Sequence, residues 1–142
     1  MTVAAVALAA LPVSFLTIRA LLRTPAAVQF VAAPSADRWH TRSTPLLGGT
    51  GIFAGLAVGS AIAVTTGAVS ADARLGSIVG GCAILYLAGL VDDVRQLSPL
   101  AKIAAQVAAS ALVIAAGVRV ELVHNDVAGT AIALVWLIGM TN

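Results

Sequence analysis

Residues 75–117 read LGSIVGGCAILYLAGLVDDVRQLSPLAKIAAQVAASALVIAAG, and the fold turns on this stretch. Two apolar segments flank a polar one that opens with Asp92-Asp93 and closes with Ser98-Pro99. Residues 75–91 and 103–118 carry no charge. A helix rises about 1.5 Å per residue, so about 20 mostly apolar residues cross a bilayer core. Both segments approach that length, and flanking polar side chains can snorkel to the interface. Ser98-Pro99 is a helix start, because serine caps exposed N–H groups and proline suits the first helical position. The stretch therefore reads as a helix, a short loop at 92–98 and a second helix.

The rest of the chain follows the same pattern. Residues 1–18, 43–71 and 127–142 are also uncharged. Five helices are expected, at roughly 2–22, 46–67, 75–91, 99–117 and 128–142. Together they form a single all-α membrane domain over 1–142, a polytopic helix bundle. Composition agrees: of 142 residues, 60% are hydrophobic and 10% charged, with mean hydropathy +1.02. A soluble domain carries about 25% charged residues. Disordered chains and ordinary soluble domains are thereby excluded. The single cysteine, Cys82, excludes an internal disulfide and reads as a core residue in its apolar run. With 4% aromatic residues and a net charge of +2, no nucleic-acid surface is present. The runs GGTGIFAGLAVGS and GSIVGGCA suit close helix contact in lipid, although an alanine-rich composition alone would also produce them.

Topology follows from the basic residues. The first charge, Arg19, follows the first apolar run rather than preceding it. That order fits an uncleaved span with the N-terminus outside, not a signal peptide. The first loop carries Arg23, Arg38 and Arg42, and the third carries Arg95 with Lys102 close by. The second and fourth carry only Arg74 and Arg119. The positive-inside rule places loops one and three, and the chain near Asn142, on the cytoplasmic face of the plasma membrane.

Three polar features thus share one face. Asp92-Asp93 is the strongest, because carboxylates at membrane depth are expensive and tend to be functional. Adjacent helical residues diverge by about 100°, so one carboxylate could hold a divalent cation while the other meets a second group. Mg²⁺ is suited to one or two carboxylates plus substrate phosphates. Lys102 and Gln106 lie four apart on one helical face, with Lys102 close to the acidic pair. A solvated helix end and a snorkelling lysine would account for the same residues. In loop one, His40, Arg42 and Thr44 alternate on the approach to Pro45, and Gly48-Gly49 permits close backbone approach. This segment could present cations and N–H groups to an anion, or serve only as a basic topogenic loop. His124 shows no partner ligand, and residues 118–122 alternate as in a short strand. Trp39 reads as an interfacial anchor and Trp136 as a helix-packing residue.

Three of these segments together resemble one family, the polyprenyl-phosphate N-acetylhexosamine-1-phosphate transferases (MraY/WecA/TagO-like, glycosyltransferase family 4). RWHTRSTPLLGGTGIF resembles its early H-x-x-x-x-P-x-x-GG element, and GLVDDVRQLSPLAKIAAQ its more specific DD…K-x-x-x-Q element. WLIGMTN resembles the lead-in to its Asn-rich element, with Asn142 as the first Asn. Arg42 stands where the family commonly has lysine. The resemblance implies an N-terminal fragment of a larger fold of about ten spans, itself expected to be inactive. It implies an enzyme, a Mg²⁺-dependent phosphotransferase with Mn²⁺ as an alternative ion. A sugar 1-phosphate would pass from a UDP-N-acetylhexosamine to polyprenyl phosphate, releasing UMP, in envelope glycan synthesis.

By the same resemblance, Asp92 and Asp93 are the catalytic and metal-binding pair. Lys102, Arg42, His40, Thr44, Pro45, Gly48, Gly49 and Asn142 bind substrate. The expected partners are the lipid phosphate, the nucleotide sugar and the bilayer, with a homodimer allowed and no nucleic acid. The competing reading is a transporter or channel fragment with Asp92-Asp93 as a cation site at mid-membrane depth.

Overall fold

A computed structural model describes residues 3–24, 31–32, 44–45, 48–118 and 125–141. Its elements are α1 (Val3–Leu21), β1 (Val31–Ala32), β2 (Thr44–Pro45), α2 (Gly48–Thr65), α3 (Ala73–Arg95), α4 (Pro99–Ala115) and α5 (Asp126–Thr141). Five helices with one two-residue antiparallel bridge make a helical membrane bundle. β1 pairs with β2 as Val31↔Pro45 and Ala32↔Thr44. The elements fall into two units, Met1–Val69 and Ser70–Asn142.

In the first unit, small residues decide how α1 meets α2. Gly51, Gly55, Gly59 and Ala63 recur every fourth residue and are the buried residues of α2. A spacing of four keeps them on one face. Ala10, Ser14 and Ile18 answer them on α1 at the same spacing. At Gly55 a Cβ would stand 3.2 Å from the Ala10 carbonyl oxygen and 3.2 Å from the Ser14 Cβ. At Gly51 it would overlap the Ile18 side chain. Lipid tails are as apolar as leucine, so close backbone approach, rather than expulsion from water, holds such a pair together.

The second unit packs α3 on α4 and α4 on α5. Gly80 and Gly81 of α3 lie against Leu112 and Val113 of α4. Asp72 starts α3 by accepting the Leu75 N–H at 2.9 Å, and Ser98 starts α4 by accepting that of Ala101 at 3.3 Å. Asn125 starts α5, its Oδ1 accepting from Val127 and Ala128. Length and apolarity qualify α1, α2 and α3 to cross a membrane. At 17 and 16 residues, α4 and α5 are shorter apolar helices. Each is about 25 Å long, against a hydrocarbon core of about 30 Å.

Two expectations need correction. α3 does not end at residue 91: it runs through Asp92 and Asp93 to Arg95, leaving only 96–98 as loop. A hydropathy run marks where the apolar environment ends, whereas backbone hydrogen bonding decides where the helix ends. The stop is Gln96, at φ 50° in the left-handed region. Trp136 is not packed between helices but 65% exposed, because Gly129 and Ala133 take the buried stripe of α5. Cys82 is half-buried. His124 and the alternation at 119–122 lie outside the described residues, as does Trp39.

Gly55→Ile should weaken the α1–α2 contact by about 1–3 kcal/mol through overpacking. Gly76→Ala, where a Cβ meets nothing within 4 Å, should be neutral or slightly stabilising. Thermal unfolding in detergent would compare the two, and an equal response would refute close packing at Gly55.

Candidate active site

The turn from α3 to α4 is organised by one residue. The Asp92 carbonyl accepts the Gln96 N–H at 2.8 Å, the ordinary closing bond of a helix. Asp92 Oδ1 accepts the Leu97 N–H at 2.8 Å, satisfying a donor that the left-handed Gln96 swings back towards the helix. Asp92 Oδ2 meets Lys102 Nζ at 2.8 Å. The carboxylate thus closes the turn with one oxygen and takes the cation of the next helix with the other. Both side chains stay accessible, Lys102 at 45% and Asp92 at 30% exposure.

Behind the ion pair lies a cavity of about 360 Å³ between α3, α4 and α5. Leu85, Ala88 and Ala105 form apolar wall, while Asp92, Lys102, Gln106 and Thr141 supply the polar groups. Gln106 is buried, and its Nε2 donates to the Thr141 carbonyl at 3.2 Å. A Lys ammonium has three donors and Asp92 takes one, so the others can serve an anionic ligand without breaking the pair. Asp93 is exposed on the same last turn and does not line the cavity. The arrangement can therefore bind an anion beside a half-apolar recess, with a second carboxylate exposed outside it.

The donor set constrains any metal. Among the described residues no three His, Cys, Asp or Glu side chains gather. A closed protein cage for an ion is absent there. Two adjacent carboxylates do fit Mg²⁺ that takes most of its ligands from substrate phosphates and water. A second depression, on α5 around Ile132, Val135, Trp136 and Met140, is almost wholly apolar and offers no such chemistry.

Of the site residues expected from sequence, the structure brings Asp92 and Lys102 into contact and sets Asp93 beside them. Thr44 and Pro45 form β2, and Gly48 and Gly49 are exposed at the start of α2, all in the first unit. His40, Arg42 and Asn142 lie outside the described residues. Thr141 and the Leu97 N–H were not foreseen at the site. Gln106 was visible as a residue one turn beyond Lys102 and as the Gln of the DD…K-x-x-x-Q element, without a role at the site.

Asp92→Ala should speed amide exchange at Leu97 severalfold, through loss of one acceptor. Asp92→Asn retains an oxygen for that bond and should change it much less. Equal acceleration in both variants, read by hydrogen–deuterium exchange, would show that Oδ1 does not hold the turn.

Residues 75–142, which include the whole α3–α4 turn and the cavity, match the model of "Glycosyl transferase family 4". The chain is also similar to a Bacillus subtilis (strain 168) protein described as "Probable undecaprenyl-phosphate N-acetylglucosaminyl 1-phosphate transferase". Identity is 26%, covering 79% of this chain and 33% of that protein. The chain thus spans a third of that relative's length. No solved structure gives a significant match.

Proposed function

We propose that the chain is part of a glycosyl transferase family 4 protein and that this full-length protein transfers a sugar 1-phosphate to polyprenyl phosphate. The donor is a UDP-N-acetylhexosamine. An oxygen of the lipid phosphate bonds to the β-phosphorus of the donor. The bond from that phosphorus to the bridging oxygen breaks, and UMP leaves with that oxygen. The product is a polyprenyl-diphospho-sugar for envelope glycan synthesis.

The observation that carries this reading is the Asp92–Lys102 pair at the mouth of a half-apolar cavity, on the last turn of a membrane helix. Phosphoryl transfer demands little covalent chemistry of the protein and much positioning and charge neutralisation. Lys102 supplies the cation for a phosphate, and Asp92 orients it while the site is empty of substrate. Asp93, exposed beside them, is the carboxylate proposed to take a proton from the lipid phosphate or to help hold Mg²⁺. When bound, Mg²⁺ would be held by Asp93 or Asp92 together with substrate oxygens and would neutralise diphosphate charge. His40, Arg42, Thr44, Pro45, Gly48, Gly49 and Asn142 are proposed as substrate contacts on the sequence resemblance alone. The site faces the cytoplasm, where the nucleotide sugar is found, and the N-terminus lies outside.

A cation site of a transporter would favour carboxylates at mid-membrane depth. Asp92 sits instead on the final turn of α3, bonded to the turn that follows, which supports the enzyme.

The test is a transfer assay on membranes holding the full-length protein, with radiolabelled UDP-GlcNAc, polyprenyl phosphate and Mg²⁺. Lipid-extractable label should form, fall on chelation and be reversed by UMP. Lys102→Met and Asp93→Asn should each lower transfer by about 10²–10³-fold, the scale for losing one preorganised charge, with membrane insertion intact. Near-normal transfer in both would overturn the assignment. No label with any UDP-hexosamine would overturn the activity.

A further inference from the structure

Gln106 joins two parts of the chain that lie far apart in sequence. It stands one turn beyond Lys102 on α4, and its Nε2 donates to the backbone carbonyl of Thr141, the last residue of α5. The last four carbonyls of a helix have no partner within it. One of them is therefore satisfied here by a side chain from the neighbouring helix. Gln106 is 7% exposed, among small residues that include the buried Ala109 and Ser110. Hydrogen bonds of this kind tie helices together in lipid. Its position gives it a further consequence. Asp92, Lys102, Gln106 and Thr141 line one cavity. The bond that fixes the end of α5 is thus made within the space where Lys102 presents its ammonium.

We propose that Gln106 is a positioning residue for this site: its bond to the Thr141 carbonyl fixes the last turn of α5, which lines the cavity, against α4, where Lys102 would hold a phosphate. This rests on the phosphotransferase reading above. In this role Gln106 acts through the end of α5 rather than on the reacting atoms. It acts by setting the distance between α4, which carries the cation, and the last turn of α5 at Thr141. A residue with that role should affect use of the substrate more than survival of the fold.

Three variants of the full-length protein test this. Gln106→Leu conserves much of the volume and has no donor. Gln106→Ala lacks both volume and donor. Gln106→Glu keeps the shape but cannot donate while ionised. Its protonated form regains an O–H donor, so its activity relative to wild type should recover as pH falls. Gln106→Leu should lower kcat/KM by about three- to tenfold, the scale of one net hydrogen bond, at wild-type membrane level and unfolding temperature. Gln106→Ala should lose at least as much activity, with some loss of stability. Hydrogen–deuterium exchange supplies a readout independent of turnover. Exchange should quicken over residues 139–141 in Gln106→Leu and stay unchanged over residues 76–89. Wild-type kinetics and exchange in Gln106→Leu would overturn the proposal. So would losses in all three variants that merely track lowered unfolding temperature. If the wild-type protein transfers no sugar phosphate while α5 exchange responds as expected, the clamp stands as a fact of the fold. The functional reading, and with it the positioning role, then fails.

Discussion

Asp92 uses three oxygen atoms for three different purposes, and the second unit depends on that division. Its carbonyl ends α3, Oδ1 catches the Leu97 N–H across the left-handed Gln96, and Oδ2 holds Lys102. A left-handed non-glycine residue is costly by itself and persists where neighbouring bonds fix it. Here those bonds come from the side chain and backbone of one aspartate. Because Gln96 turns the chain so tightly, only three residues separate α3 from α4. That brings the first turn of α4, with Lys102, back over the last turn of α3.

The same turn unites architecture and chemistry. A carboxylate on the final turn of an apolar helix can remain ionised only with hydration or a partner. Lys102 and the Leu97 N–H are its partners, and partial exposure leaves the pair accessible to a ligand. The cavity behind it is walled mainly by alanine and leucine, with glycine close by on α3. Small residues on facing helices therefore do two things in this chain. In the first unit Gly51, Gly55 and Gly59 close the gap between α1 and α2. In the second, Ala88, Gly89 and Ala105 leave space next to charged groups. An apolar recess beside a cation suits a ligand with a charged head and a lipid body.

Much of this was legible in the sequence. Uncharged runs divided by clustered charges set the number of helices, since helical length and bilayer thickness leave few alternatives. Ser98-Pro99 marks the start of α4, because capping and proline geometry are local properties. The spacing of Asp92-Asp93, Lys102 and Gln106 also lies in the sequence, and it carries the resemblance to the transferase family.

Tertiary structure decided what depends on direction rather than on order. Each residue along a helix turns the side chain by about 100°. Extending α3 from residue 91 to Arg95 therefore changes where both aspartates point. Only with that helix end and the φ of Gln96 in place is it settled that Asp92 meets Lys102 while Asp93 stays exposed outside the cavity lining. The bond from Gln106 to Thr141 spans 35 positions and joins a side chain to a backbone carbonyl. A carbonyl is common to all residue types, so no residue identity announces it. Local propensity and hydropathy determined the helices; the rotation of those helices about their axes determined the site.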